Sequence, residues 1–247
     1  MSGGMPGEVT IASWNVCKGL GQDLRRRTAR TTEVIGQLGA DVVVLQEADF
    51  RLHPRRSALP TPDRRIAGYE FLDLSASGHG IGWHGIAVLV PPEAVIEDIQ
   101  RFDLPALEPR GAVIATLGLA GLRFRLVGVH LGLIRRNRRA QLHFLRQKLD
   151  GMPPCPTVMA GDFNERTATR GLEPLQPAMR TASPGPSFPA GRPFLRLDRF
   201  AWSDDTELVE SHVVDSPLAS IASDHRPIFG RFRLSESAAL PEAASLR

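Results

Sequence analysis

Six short polar clusters stand where apolar stretches of this 247-residue chain end or begin. Asn15 follows residues 8–14, and Gln46 and Glu47 follow residues 41–45. His130 closes residues 122–130, and Gly161-Asp162-Phe163-Asn164 follows residues 157–160. Leu197-Asp198-Arg199 opens residues 197–202, and Ser223-Asp224-His225 precedes residues 227–234. Each alone has an ordinary structural explanation: Asn15 and Asn164 as turn residues, Glu47 as a solvated carboxylate, Asp162 as a cap, His130 as a buried, hydrogen-bonded histidine. Six such positions in this order make coincidence a poor account. Together they suit one chemistry. Glu47 and Asp224 are hard oxygen donors, fit for Mg²⁺ or Mn²⁺. Such an ion beside a phosphodiester neutralises developing negative charge and orients a water. His130 and His225 can hydrogen-bond phosphate oxygens, and Asp198 can fix the tautomer or charge of one of them. Asp162 can accept a proton from an attacking water. Two cysteines and scattered histidines give no zinc spacing.

The elements around these clusters must place them together. Residues 8–14 alternate apolar and polar and predict a strand. Residues 23–38 predict a helix, with Leu24, Thr28, Thr31, Val34, Ile35 and Leu38 near helical spacing and Gly39 closing it. Residues 41–45 form a continuous β-branched run, as in a buried strand. Residues 51–65, rich in Pro and Arg, read as a loop. Strands follow at 85–90, 94–102, 111–119 and 122–130, the last two joined by a turn over 118–121. A helix over 135–149 carries Leu142, Leu145 and Leu149 on one side, and Pro153, Pro154 and Pro156 stop it. Strands are expected at 157–160, 197–202, 208–214 and 227–234, with a long proline-rich loop over 174–193. The two halves echo each other: a strand, a helix and a second strand ending in polar residues. In layered α/β folds, sites are built at such strand ends. The reading is one catalytic domain over 8–234, with flexible tails at 1–7 and 235–247.

Hydrophobic residues make up 42% and charged residues 23%, which excludes disordered, collagen-like and disulfide-scaffold chains. No run of about 18 apolar residues predicts a membrane span. The first ten residues lack the basic and apolar regions of a secretion signal, and two cysteines suit a reduced, cytoplasmic setting. The net charge is +3 and the pI about 9.4, compatible with a phosphate-bearing partner. Lysine occurs only at Lys18 and Lys148, so 28 of the 30 basic residues are arginine. A single arginine therefore carries little weight as a phosphate binder.

The pattern resembles the endonuclease/exonuclease/phosphatase superfamily, the deoxyribonuclease I-like phosphoesterases. The matching segments are Ser13-Trp14-Asn15-Val16, Leu45-Gln46-Glu47, Gly128-Val129-His130-Leu131, Gly161-Asp162-Phe163-Asn164, Arg196-Leu197-Asp198 and Ser223-Asp224-His225. In particular the chain is similar to small stand-alone bacterial members. Their VHLGL stretch with following Arg and Gln is matched by residues 129–133 with Arg139 and Gln141, and another by Phe188-Pro189 with residues 195–199. The resemblance implies an α/β fold, a four-layer α/β/β/α sandwich with two packed, mainly antiparallel sheets. It implies a hydrolase that uses one or two Mg²⁺ (or Mn²⁺) ions. Glu47 would ligate metal with Asn15 beside it, and Asp224 would serve the metal region. Asp162 would position or deprotonate the water, Asn164 and His130 would stabilise the transition state, and Asp198 would orient His225 onto the scissile phosphate.

Some positions depart from the family. Gly85-Ile86-Ala87 replaces Gly-Asn-Ala, which removes an amide near the substrate, and His84 is the candidate substitute. Arg199 stands where an aromatic residue is common. Arg110, His84 and Arg199 are the candidate substrate-binding residues. Cys17 reads as a small buried thiol rather than a nucleophile. No Gly-x-Ser-x-Gly elbow or P-loop is present. The motifs specify phosphoester hydrolysis and leave the leaving group open: a phospholipid head group, a small phosphodiester or nucleic acid. Clusters such as Arg25-Arg26-Arg27 and Arg135-Arg136 serve a nuclease or a solvated surface alike. The alternatives are a nuclease acting on DNA or RNA, including the abasic-site type, and a non-catalytic relative that binds a phosphorylated ligand or protein. A monomer is expected.

Overall fold

Period-two alternation is what separates the two faces of each strand, and in this chain it continues into the polar clusters. The computed structural model describes residues 7–52, 54–60, 64–75 and 78–235. β1 (Glu8–Asn15) is followed by α1 (Thr28–Gln37) and β2 (Val42–Gln46), which lies parallel to β1. β3 (Arg65–Ile66), β4 (Tyr69–Phe71) and β5 (Ala87–Val90) extend that sheet. β6 (Val95–Leu104), β7 (Arg110–Leu119) and β8 (Leu122–His130) form an antiparallel meander, and α2 (Arg135–Asp150) crosses to β9 (Thr157–Asp162), parallel to β8. β10 (Met179–Ala182), β11 (Asp198–Ser203), β12 (Thr206–Val213), α3 (Ala219–Ala222) and β13 (Ile228–Leu234) complete the chain. The strand orders are β12-β13-β1-β2-β5-β4-β3 and β10-β11-β9-β8-β7-β6. Each sheet holds one parallel pair joined by a crossover helix, the structural form of the echo between the halves.

Three apolar layers hold this together. Ile11, Val44, Val88, Leu126, Val158, Ala160 and Phe200 fill the space between the sheets. Val34 and Ile35 of α1 cover Trp14 and Leu45 on one outer face, and Leu142 and Leu145 of α2 cover Val127 and Met159 on the other. Each buried Val, Leu, Ile, Met or Phe among them contributes roughly 1.5–3 kcal/mol. The result is the four-layer sandwich, with all strand pairs antiparallel except β1–β2 and β8–β9.

The inward-facing series run Val9, Ile11, Ser13, Asn15; Val42, Val44, Gln46; Phe124, Leu126, Gly128, His130; and Val158, Ala160, Asp162. Each is apolar through the middle and polar at one end, the same end in every strand. Two glycines permit this geometry. A Cβ on Gly128 would meet Ile86 and Val44 of the facing sheet at 3.0 and 3.1 Å. A Cβ on Gly161 would lie 2.0 Å from the Val129 carbonyl oxygen of the paired strand.

Three expectations need correction. The first helix starts at Thr28, not residue 23. Leu24 has φ 58° and is exposed, because residues 20–26 fold into a turn: Gly21 N–H donates to Arg25 O, and Leu20 bridges Arg26. The 174–193 loop contains the edge strand β10. The short strands β3 and β4 were not legible in so brief a run. Of the expected tails, 1–6 and 236–247 lie outside the described residues. Gly7 and Ser235 instead extend the sheet, since Leu234 N–H donates to Gly7 O and Ser235 N–H to Asp205 O.

Gly161→Ala forces apart β8 and β9 one residue before Asp162. The expected cost is about 1–3 kcal/mol, read as a melting temperature lower by several degrees. An unchanged melting temperature would show that β8 and β9 do not approach this closely.

Candidate active site

Strand register brings three of the predicted residues into one row. His130 pairs with Asp162, and Asp162 pairs with Asp198. All three therefore project inward at the same end of the second sheet. Asn15, at the matching end of β1, donates from Nδ2 to Asp162 Oδ2 at 3.2 Å, which closes the site between the sheets. Ser223 Oγ donates to Asn15 O at 2.6 Å and Trp14 Nε1 to His225 O at 2.8 Å, so the segment before β13 is pinned to the end of β1.

Asp162 is the hub. Its Oδ1 accepts the Asn164 backbone N–H at 2.8 Å, an Asx turn that accounts for the φ of 52° at Asn164. Around Oδ2 lie His130 Nε2 at 3.5 Å and His225 Nε2 at 3.7 Å. Asn164 Nδ2 spends one hydrogen on Leu131 O at 2.9 Å. His225 Nδ1 faces Asp198 Oδ2 at 2.8 Å, and the Ser187 hydroxyl donates to the same oxygen. Phe188 leans on the imidazole with ring centroids 4.8 Å apart.

The two histidines are driven in opposite directions. Burial, with Arg110 nearby, pushes His130 down to about 3 despite Asp162. Burial opposes charge on His225 as well, but Asp198 and Asp162 overcome it and raise it to about 10. A neutral and a charged imidazole thus flank one carboxylate.

Glu47, Arg110, His84 and His130 line a single cleft with Lys18, Arg51 and Arg55. Lys18 Nζ pairs with Glu47 Oε2, and Arg51 Nη2 lies 3.3 Å from Oε1. Burial would raise the Glu47 carboxyl, but the Lys18 hydrogen bond and these positive charges hold it below the usual range. Arg110 Nη2 donates to Glu108 at 2.6 Å, and its buried Nε has no partner. His84 also faces the cleft, though its ring nitrogens already meet Asp103 at 2.7 Å and Arg55 at 3.2 Å. Ile86 is fully buried between the sheets against Gly128, which explains how an apolar residue is accommodated there. Asp224 is half-buried, takes a 3.3 Å contact from Ser223 Oγ, and stands by the Cys17 thiol. Burial and the charges of Asp224 and Glu47 push that thiol up to about 11, which makes it inert.

Arg199 is not brought to this cleft. It faces away from Asp198, and its Nη2 donates to the carbonyls of Glu165 and Thr167 at 3.0 and 2.8 Å. Arg139 of the VHLGL match is exposed beside Glu173, and the inward arginine is Arg138. Arg138 donates to Glu165 Oε2 at 2.7 Å and to the carbonyls of Gly132 and Leu133. Arg135 grips Glu165 with two bonds of 3.0 Å, and Gln141 Oε1 accepts Gly132 N–H at 2.9 Å. This network locks the loop after His130 to the loop after Asp162. Sequence reasoning missed Glu165, Arg138, Ser187 and Lys18. Lys18 carried a signal: it is one of two lysines in an arginine-dominated chain. Glu165, next to Gly161-Asp162-Phe163-Asn164 and opposite in sign to the basic start of α2, carried another.

A profile described as the Endonuclease/Exonuclease/phosphatase family matches residues 12–225. The chain belongs to this family. It is 29% identical to the uncharacterized protein YbhP of Escherichia coli K12 over 232 residues, 82% of this chain and 87% of that protein. Zebrafish (D. rerio) TDP2 complexed with single-strand DNA product has a similar fold, with a TM-score of 0.71, 19% identity and 91% and 98% of the two chains covered. The mannosyl-6-phosphatase of Bacteroides thetaiotaomicron gives a TM-score of 0.69 at 19% identity, covering 91% and 99%. At these identities the structural likeness shows the fold. Nucleases and phosphatases share this architecture, and no helix among the described residues is long and apolar enough to cross a membrane.

The Glu165 cluster predicts a pH dependence. Burial would raise its carboxyl, but Arg135 and Arg138 hold it down at about 2, against an ordinary 4.5. Its folded-state pKa is depressed, so its contribution to stability is present above about pH 4.5 and lost as pH falls toward 2. Glu165→Gln should lower stability at neutral pH and flatten the acid limb of the stability curve. A variant curve parallel to wild type in denaturant titrations across that range would contradict this.

Proposed function

We propose that the chain is a metal-dependent phosphoesterase in which Asp162 positions and deprotonates the attacking water. The supporting observation is the convergence of Asn15, His130 and His225 on one buried carboxylate, with Asp198 behind His225. Asp162 is held at Oδ1 by the Asn164 N–H and at Oδ2 by Asn15, so its orientation is fixed before substrate arrives. An acceptor at Asp198 keeps a proton on His225 Nδ1, and a charged imidazole then offers its Nε2 proton to a phosphate oxygen. His130, buried and neutral, offers a hydrogen bond without a second positive charge. Asn164 retains one amide hydrogen for the same oxyanion and otherwise holds the loop at Leu131. Arg110 lines the cleft and would meet substrate phosphate there.

Glu47, with Asn15 and Asp224, would hold a divalent cation. The donors are hard oxygens, and Glu47 remains ionised and already attracts Lys18 and Arg51. When bound, the ion neutralises charge on the phosphate. Asp162, Asp198 and His225 also place donor atoms within 4.8 Å of one another. Glu47 is preferred as ligand because it faces the open cleft, where Lys18 and Arg51 can yield to the ion, whereas Asp162 and Asp198 are buried and serve the imidazoles.

Hydrolysis of bis-p-nitrophenyl phosphate with Mg²⁺ or Mn²⁺ tests the reading. Asp162→Ala should lower kcat at least about a hundredfold, the scale of a lost general base. Equal rates in variant and wild type, or no dependence on the ion, would refute it. A screen across DNA, RNA, phospholipids, inositol phosphates and nucleotides then selects among leaving groups.

A further inference from the structure

Large apolar side chains left in water are normal when scattered, and informative when gathered. Among the described residues the six most exposed are Leu24, Leu52, Leu107, Leu133, Ile134 and Phe194. The least exposed of these, Ile134, is 62% exposed, whereas no other large apolar residue exceeds the 54% of Val95. All six sit in loops at the catalytic end of the sheets. Leu24 follows β1 and Leu52 follows β2. Leu107 joins β6 to β7, Leu133 and Ile134 follow β8, and Phe194 precedes β11. Among the described residues, the opposite end of the sandwich has none of comparable exposure.

Arginines share these loops: Arg25 and Arg27 beside Leu24, Arg136 beside Ile134, and Arg192 and Arg196 flanking Phe194. These five are exposed and form no ion pair among the described residues. Of the nearby acids, Asp23 pairs with Arg30, Asp103 with His84 and Glu108 with Arg110, and the half-buried Asp224 forms no ion pair among the described residues. Five unpaired arginines against Asp224 leave this rim net positive.

We propose that the catalytic end docks on an anionic lipid bilayer, with the six apolar side chains entering the headgroup boundary and the arginines meeting lipid phosphates. Apolar tips on separate loops, each beside free cations, suit a fluid interface. A protein partner would call for one contiguous apolar patch. Single-stranded nucleic acid would call for aromatic platforms, and only Phe194 of the six is aromatic. Docking stands on the surface alone. That the substrate is then the phosphoester of a membrane lipid rests on the phosphoesterase reading.

The test is co-sedimentation of the full chain with phosphatidylcholine vesicles, with and without phosphatidylglycerol, at about 0.1 M salt. Wild type should bind the phosphatidylglycerol vesicles. The triple variant Leu52→Glu, Leu107→Glu, Phe194→Glu should bind them at least about tenfold more weakly, and Arg25→Glu with Arg196→Glu should do the same. Failure of wild type to bind, or equal binding by the apolar triple variant, overturns the proposal. So does a wild type that ignores vesicles yet binds single-stranded DNA through the same six side chains. Hydrolysis of soluble bis-p-nitrophenyl phosphate is measured in parallel. It should be equal in wild type and triple variant, which shows the variant folded. Vesicle binding without hydrolysis in either would leave docking in place and remove the phosphoesterase reading.

Discussion

The register between β8, β9 and β11 is the constraint on which the rest of the structure depends. It aligns His130, Asp162 and Asp198 in one row, and a slip of one residue in any strand would send its member to the outer face. The apolar middles of the same strands enforce that register. Leu126, Val158 and Phe200 must face the first sheet, and the polar residues follow by alternation. Packing and chemistry are thus one specification: the core that stabilises the sandwich is also what aims the site. Asn15 then joins the sheets across the row.

Electrostatic differentiation is built on that frame. One carboxylate, Asp162, serves two imidazoles that burial and neighbours push apart, one held neutral and one held charged. Paired groups driven in opposite directions within a cleft are the usual mark of assigned acid and base roles. Behind the row, the Glu165 cluster ties the loop after His130 to the loop after Asp162.

Much of this was legible in the chain. Strands with strong alternation or β-branched runs appeared close to their predicted places, and Asn15, His130, Asp162, Asp198 and His225 converge. What was not legible depended on tertiary contacts. Leu24 kept helical spacing with its neighbours, yet a local turn through Gly21 and Asp23 outcompeted the helix. Arg199 and Arg138 are indistinguishable in sequence from solvated arginines, and only the outward face of β11 and the buried Glu165 define them. Ser187 acts on Asp198 from within a loop whose path no periodicity encodes.

In the proposed reaction a water held by Asp162 attacks phosphorus. Turnover of bis-p-nitrophenyl phosphate in water enriched in heavy oxygen addresses this directly by mass spectrometry of the products. The isotope is expected in the phosphate monoester, with none in p-nitrophenol and no labelled product above background with Asp162→Ala. Isotope in the phenol, or full labelled turnover by the variant, would contradict it.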